Sequence, residues 1–202
     1  IKNSHIHHNS SDDGLNIKNS KIELTNNIFN ANSADQVDID FCIGSIKKNK
    51  FISKSIVRDF NFVKIPEDNN GDGLDLSGSE IIVRNNIFNG FLDKGISVGE
   101  NTKVQILENN FISNRSAITA KDHSNVYLYG NHYEKNKINI EMYQKKQIFS
   151  HPSIFNVNEN HLAKMIEKTK KSHYYKSKYK FNLYETSNSF KELEDRKWIE
   201  YE

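Results

Sequence analysis

Cysteine occurs once in 202 residues, at Cys42. A single thiol excludes an internal disulfide framework and leaves the redox compartment open. No apolar run approaches the roughly 18 residues that a membrane-spanning helix needs. Neither sign of charge dominates: 28 basic residues against 26 acidic ones give a net charge of +2. Nothing therefore draws the chain as a whole toward nucleic acid or an anionic membrane. A Gly-rich phosphate loop, a CxxC pair and a Ser-His-Asp pattern are also missing. Only 36% of the residues are hydrophobic and mean hydropathy is low, which suits a narrow, elongated core rather than a broad one.

What the sequence does hold is a repeat. The pattern apolar-x-apolar-x-x-Asn-x-aromatic recurs as IELTNNIF, GSIKKNKF, IIVRNNIF, VQILENNF and VYLYGNHY, ending at Phe29, Phe51, Phe88, Phe111 and Tyr133. The opening IKNSH is expected to place Ile1, Asn3 and His5 in the same slots, so that the chain begins in mid-repeat. Successive Asn residues are then spaced by 24, 22, 37, 23 and 22, a period of 22 to 24 with one insertion of about 14 residues. A second pattern runs in phase with the first: GLNI, QVDI, GLDL, GISV, AITA and KINI.

Each repeat thus carries at least two short alternating strands broken by polar turns, which predicts a parallel β-solenoid of about six coils stacked about 4.8 Å apart. Side-chain amides in one column can then bond one another and the turn backbone, while the aromatics form a column inside. After residue 147 the character changes. Residues 160–169, with Asn160 as N-cap and Leu162, Met165 and Ile166 at helical spacing, read as an amphipathic helix. Residues 189–201 follow with a capping box of Ser189 and Glu192. The expected organisation is a β-helix domain over 1–147 and a helical extension or cap over 148–202.

In the GLDL-type strand the apolar residues point inward, so three outer rows are expected along the solenoid. The first is Asp13, Asp35, Asp72, Lys94, Ser116; the second is Asn16, Asp38, Asp75, Ser97, Thr119, Asn139; the third is Lys18, Asp40, Ser77, Gly99, Lys121, Glu141. Carboxylates about 5 Å apart repel by roughly 3 kcal/mol at an effective dielectric near 20, so the cluster calls for a proton, a cation or a function to offset it.

Three readings stay open. The Asp residues are turn formers on a solvated face. Or they are an acid/base site for sugar chemistry, with Asp38 and Asp75 as the best pair and Asp35, Asp72 and Asp40 as supports. In that case the inserted segment would wall a groove, and Arg58 and Lys64 within it would bind acidic sugars. Or Asp38, Asp75 and Asp40 hold Ca²⁺, which would acidify the α-proton of a uronate with Lys94 or Lys18 as base. No cofactor is required on the second reading. His5, His7 and His8 resemble a metal cluster, but the aromatic slot assigned to His5 and the turn assigned to the others argue against it. KTKKSHYYKSKYKF mixes Lys with Tyr as a polyanion-binding surface does, or as a solvated helix and linker does.

The segments DDGLNIKNS, VDIDF, GDGLDLSGS, DKGISVGENT, AITAKDHS and YQKKQIF resemble, in this order, the right-handed parallel β-helix repeats of the pectate-lyase-like superfamily. More narrowly, they are similar to uncharacterised bacterial β-helix proteins, some linked to CotH-type spore-coat kinase domains. The resemblance covers about residues 1 to 150. It implies an extracellular or cell-surface location and action on an acidic polysaccharide as lyase, hydrolase or epimerase. The N-terminal end shows no cap comparable to the helices expected at the other end, so further coils are expected before residue 1. Asp35, Asp38, Asp72 and Asp75 loosely resemble the hydrolases' use of Asp residues on neighbouring coils. The paired Asp-Asp of the polygalacturonase pattern is absent from these coils, as is the basic residue of the lyase strand. The competing expectation is a non-catalytic cell-surface or spore-associated scaffold, or a calcium-binding module.

Overall fold

The computed structural model describes residues 1–54, 71–157 and 182–186, with 156–157 and 182–186 described by backbone alone. The chain winds into coils whose strands build three parallel sheets. The first sheet holds the short strands β1 (His5–His7), β4 (Ile28–Asn30), β7 (Lys50–Ile52), β10 (Ile87–Asn89), β13 (Asn110–Ile112) and β16 (His132–Glu134). The second holds β2 (Asn16–Lys18), β5 (Val37–Asp40), β8 (Leu74–Ser77), β11 (Lys94–Gly99), β14 (Ser116–Lys121) and β17 (Ile138–Tyr143). The third holds β3 (Lys21–Thr25), β6 (Ile43–Lys47), β9 (Glu80–Arg84), β12 (Lys103–Leu107), β15 (Asn125–Tyr129), β18 (Ser153–Val157) and β19 (Asn182–Thr186). Each coil therefore has three strands, one more than the two plainest alternations suggest.

Alternation sets the core. Val37, Ile39, Leu74, Leu76, Ile96, Val98, Ile118 and Ala120 of the second sheet are fully buried and stack in register. Opposite them Phe29, Phe51, Phe88, Phe111 and Tyr133 stack as expected, with neighbouring ring centroids 4.6 to 5.5 Å apart and planes within 17° of parallel. Burying each such side chain contributes about 1.5–3 kcal/mol, so a core only two or three side chains wide still suffices when it is repeated coil after coil.

Turns between strands are made by left-handed residues in register: Asn26, Lys48, Asn85, Glu108 and Gly130 before the first-sheet strands, and His8, Ala31, Gly90, Ser113 and Lys135 after them. The residue after each turn of the first set is the ladder amide. Asn27 Oδ1 accepts from Ser4 N (3.0 Å), Asn49 Oδ1 from Asn27 N (2.9 Å), Asn86 Oδ1 from Asn49 N (2.8 Å), Asn109 Oδ1 from Asn86 N (2.9 Å) and Asn131 Oδ1 from Asn109 N (3.0 Å). A second, shorter ladder was not anticipated: Asn114 Oδ1 accepts from Phe91 N and Asn136 Oδ1 from Asn114 N.

Three expectations change. At the start of the chain the slots are shifted by one residue. Ile6 pairs with Phe29, Ser4 precedes Asn27 in the ladder, and His5 stands opposite Ile28 rather than in the aromatic column. In the last coil the register is shifted by two: Glu141 lies beside Thr119 and Tyr143 beside Lys121, with Ile140 and Met142 buried instead of Ile138. Third, the sheet does not stop at residue 147, because β18 pairs with β15 and β19 with β18. The stretches expected to be helical, 160–169 and 189–201, lie outside the described residues, as does KTKKSHYYKSKYKF.

Candidate functional site

Asp38 sits between Val37 and Ile39, and Asp75 between Leu74 and Leu76, all four of which are fully buried. Alternation therefore turns both carboxyl groups to the outer face of the second sheet, where they are direct neighbours in register. Asp13, Asp35 and Asp72 enter the same sheet from the preceding turn and form a carboxyl ladder. Asp13 Oδ1 accepts from Asp35 N (3.0 Å), Asp35 Oδ1 from Asp72 N (2.6 Å) and Asp72 Oδ1 from Lys94 N (3.0 Å). Each carboxyl caps the next coil's turn, so the row has a structural job whatever else it does.

Of the expected site residues, the structure brings three together. Asp35, Asp72 and Asp75 each offer a carboxyl oxygen within 4.8 Å of the others. Burial, then the neighbouring Asp72, raises the Asp35 carboxyl to about 8. Burial likewise raises Asp72 to about 7 against the pull of Lys94. Asp75 Oδ1 is buried and has no hydrogen-bond partner among the described residues. Lys94 is itself largely buried, with Nζ 3.3 Å from Asp72 Oδ1 and paired also to Asp93. These carboxylates hold it in its charged form against desolvation. Asp38 is raised to about 6 by burial and by Asp40 and Asp75, and its Oδ2 accepts from Asn16 Nδ2 at 2.6 Å. It flanks the trio without joining it. Asp40 is paired with Lys18 at 2.8 Å. Neither Asp38 nor Asp40 belongs to the convergent group. Arg58 and Lys64 lie outside the described residues.

The corrected register extends the row beyond the coils that the acidic residues mark. Asp75, Ser97, Thr119 and Glu141 are successive neighbours, and Ser97, Thr119 and Glu141 are buried although they alternate with the core. Ser97 Oγ and Glu141 Oε1 have no hydrogen-bond partner among the described residues. Thr119 Oγ1 lies 3.3 Å from Glu141 Oε2, and Arg115 Nη1 reaches both Asp93 (3.2 Å) and Glu141 (3.7 Å). Sequence reading missed Glu141, Asp93 and Arg115 as site neighbours. For Glu141 a signal existed: the 22-residue step from Ile96 to Ile118, carried forward once more, lands on Ile140. A shallow depression lined by Ile82, Gln105 and Tyr127 among others lies on the third sheet, away from the carboxyl group.

Chemically, the raised Asp35 and Asp72 carboxyls offer proton donors beside a third carboxyl group, that of Asp75. The same oxygens are a hard donor set suited to Ca²⁺. Residues 1–161 match the family described as the right-handed β-helix region. No curated protein and no solved structure matches the chain.

Proposed function

Since the chain belongs to the right-handed β-helix family, we propose that it binds and processes an acidic glycan along the outer face of the second sheet, at the cell surface or outside the cell. The resemblance to pectate-lyase-like proteins supports the substrate class, although a fold by itself confers no activity. The observation that carries the reading is the convergence of Asp35, Asp72 and Asp75 within 4.8 Å. In this reading Asp35 or Asp72 donates the proton, and Asp75 activates water or stabilises developing positive charge. Lys94, Arg115 and Lys121 lie around the row and oppose part of its negative charge. Ca²⁺ on the same three carboxyls would supply a Lewis acid that polarises a uronate.

The test uses the full chain with polygalacturonate, alginate and a neutral glucan, following reducing-end release and the absorbance of unsaturated products. Asp75→Asn is expected to lower turnover at least 100-fold with an unchanged melting temperature. Wild-type turnover in that variant would overturn the assignment. A second reading, a non-catalytic surface or spore-associated scaffold, is favoured by the carboxyl ladder that caps each turn. It stands if wild-type protein neither cleaves nor is retarded by any of the three polymers.

A further inference from the structure

Ile6, not His5, fills the aromatic-column slot of the first coil: it pairs with Phe29 and packs on the core. That placement removes the first of the two reasons for setting the histidines aside, because alternation puts His5 and His7 together on the face opposite Ile6. Their rings lie 4.3 Å apart, centroid to centroid. His8 follows in the left-handed conformation, with φ of 55°, and its amide donates to Asn30 O at 3.1 Å. This turn brings its buried ring edge-on to His7 at 5.1 Å, and the Nδ1 atoms of His7 and His8 face each other 2.9 Å apart.

We propose that His7 and His8 form a two-imidazole site for a divalent transition metal of the copper and nickel class. Metal–imidazole bonds of about 2.0–2.1 Å put two cis nitrogens at a right angle about 2.9 Å apart, and at a tetrahedral angle about 3.4 Å apart. The observed separation fits the right angle, and square-planar or tetragonal nitrogen sites select Cu²⁺ and Ni²⁺. Without metal, the same approach accommodates one shared proton between the rings; a cation replaces that proton using the same pair of nitrogens. The backbone is already fixed on both sides, by the Ile6 anchor and by the His8 amide bond to Asn30, so little ordering is left for the metal to impose. The site lies on the first sheet and uses nitrogen donors, whereas the carboxyl group of the second sheet offers only oxygen. The two are therefore separable by spectroscopy.

The experiment titrates chelator-treated full-length chain with Cu²⁺ and with Ni²⁺ by calorimetry, and records the electron paramagnetic resonance spectrum at equimolar Cu²⁺. One equivalent should bind with an axial spectrum showing nitrogen superhyperfine structure. His7→Asn and His8→Asn should each weaken binding at least tenfold. Asn tolerates the left-handed turn at residue 8, and circular dichroism checks that both variants fold. His132→Asn, an exposed site on the last first-sheet strand, should leave binding unchanged. Oxygen-only coordination, or wild-type affinity in either of the first two variants, overturns the proposal.

Discussion

Lys48 occupies a left-handed turn position, with φ of 57°, that other coils fill with Asn26, Asn85 and Gly130. An L-residue with a Cβ is disfavoured there by about 1–2 kcal/mol, and Asn is the non-glycine residue that tolerates it best. Lys48 is exposed, and among the described residues only its backbone is engaged, its N–H donating to Arg84 O at 3.1 Å. Lys48→Asn should therefore stabilise the fold by about 0.5–1 kcal/mol. It would also add an amide to the outer stack in which Asn26 Nδ2 already donates to Asn3 Oδ1 at 2.7 Å. A urea midpoint equal to or below that of the wild type would contradict this. At this scale the sequence conveys little, since Lys and Glu at turn positions carry no turn signal of their own. Only alignment of the coils reveals that Lys48 and Glu108 stand where others have Asn or Gly.

Strands and ladders were the most legible part of the molecule, because a period of 22 to 24 with alternating apolar residues leaves few architectures. Register failed where the repeat lost its markers. At the first coil Ser4 stands in place of the ladder Asn, and Ile6 in place of the aromatic. At the last coil Ile138, Ile140 and Met142 all have the same parity, so a slip of two residues conserves the apolar pattern. The strength of the Asn columns makes a sharp prediction. Asn86 is fully buried, accepts from Asn49 N, and donates to Ile46 O and Asn109 Oδ1. Asn86→Leu strands the Asn49 amide and the Ile46 carbonyl without partners, at about 1–3 kcal/mol for each buried group. The expected loss is on the order of 3–5 kcal/mol, read from denaturant unfolding. A loss below 1 kcal/mol would mean that the ladder merely fills space. Asn49→Leu should behave alike, whereas Lys50→Leu on the neighbouring exposed position should be nearly neutral.

For the whole molecule, the sequence located the acidic face but not the group that converges on it. Spacing alone gives rows. Which carboxyls meet depends on how each turn enters its strand, and this is what brings Asp35 and Asp72 to Asp75 while Asp40 turns to Lys18. The consequence is a pH dependence opposite to that of an ordinary salt-bridged protein. Asp35, Asp72 and Asp38 are raised in the fold to about 8, 7 and 6, above the unfolded value near 4. The native state thus holds more protons than the unfolded chain between those limits. Stability from these groups is complete below about pH 4 and declines as pH rises toward about 8. For Asp72 alone the shift of about three units corresponds to roughly 4 kcal/mol. His5 and His8 act in the other sense, since burial lowers both and stability from them is gained as pH rises through their range. Their effect is confined to about pH 6.5 and below. From pH 7 to 9 the melting temperature should therefore fall, and Asp72→Asn, which keeps an oxygen for the Lys94 amide, should flatten the slope. A melting temperature that rises over this interval would sink the assignment of raised carboxyls. Adding Ca²⁺ at pH 8 separates the two uses of the cluster: a cation needs the ionised form, so a calcium site would restore the lost stability and level the slope, whereas protons held by Asp35 and Asp72 alone would leave it in place.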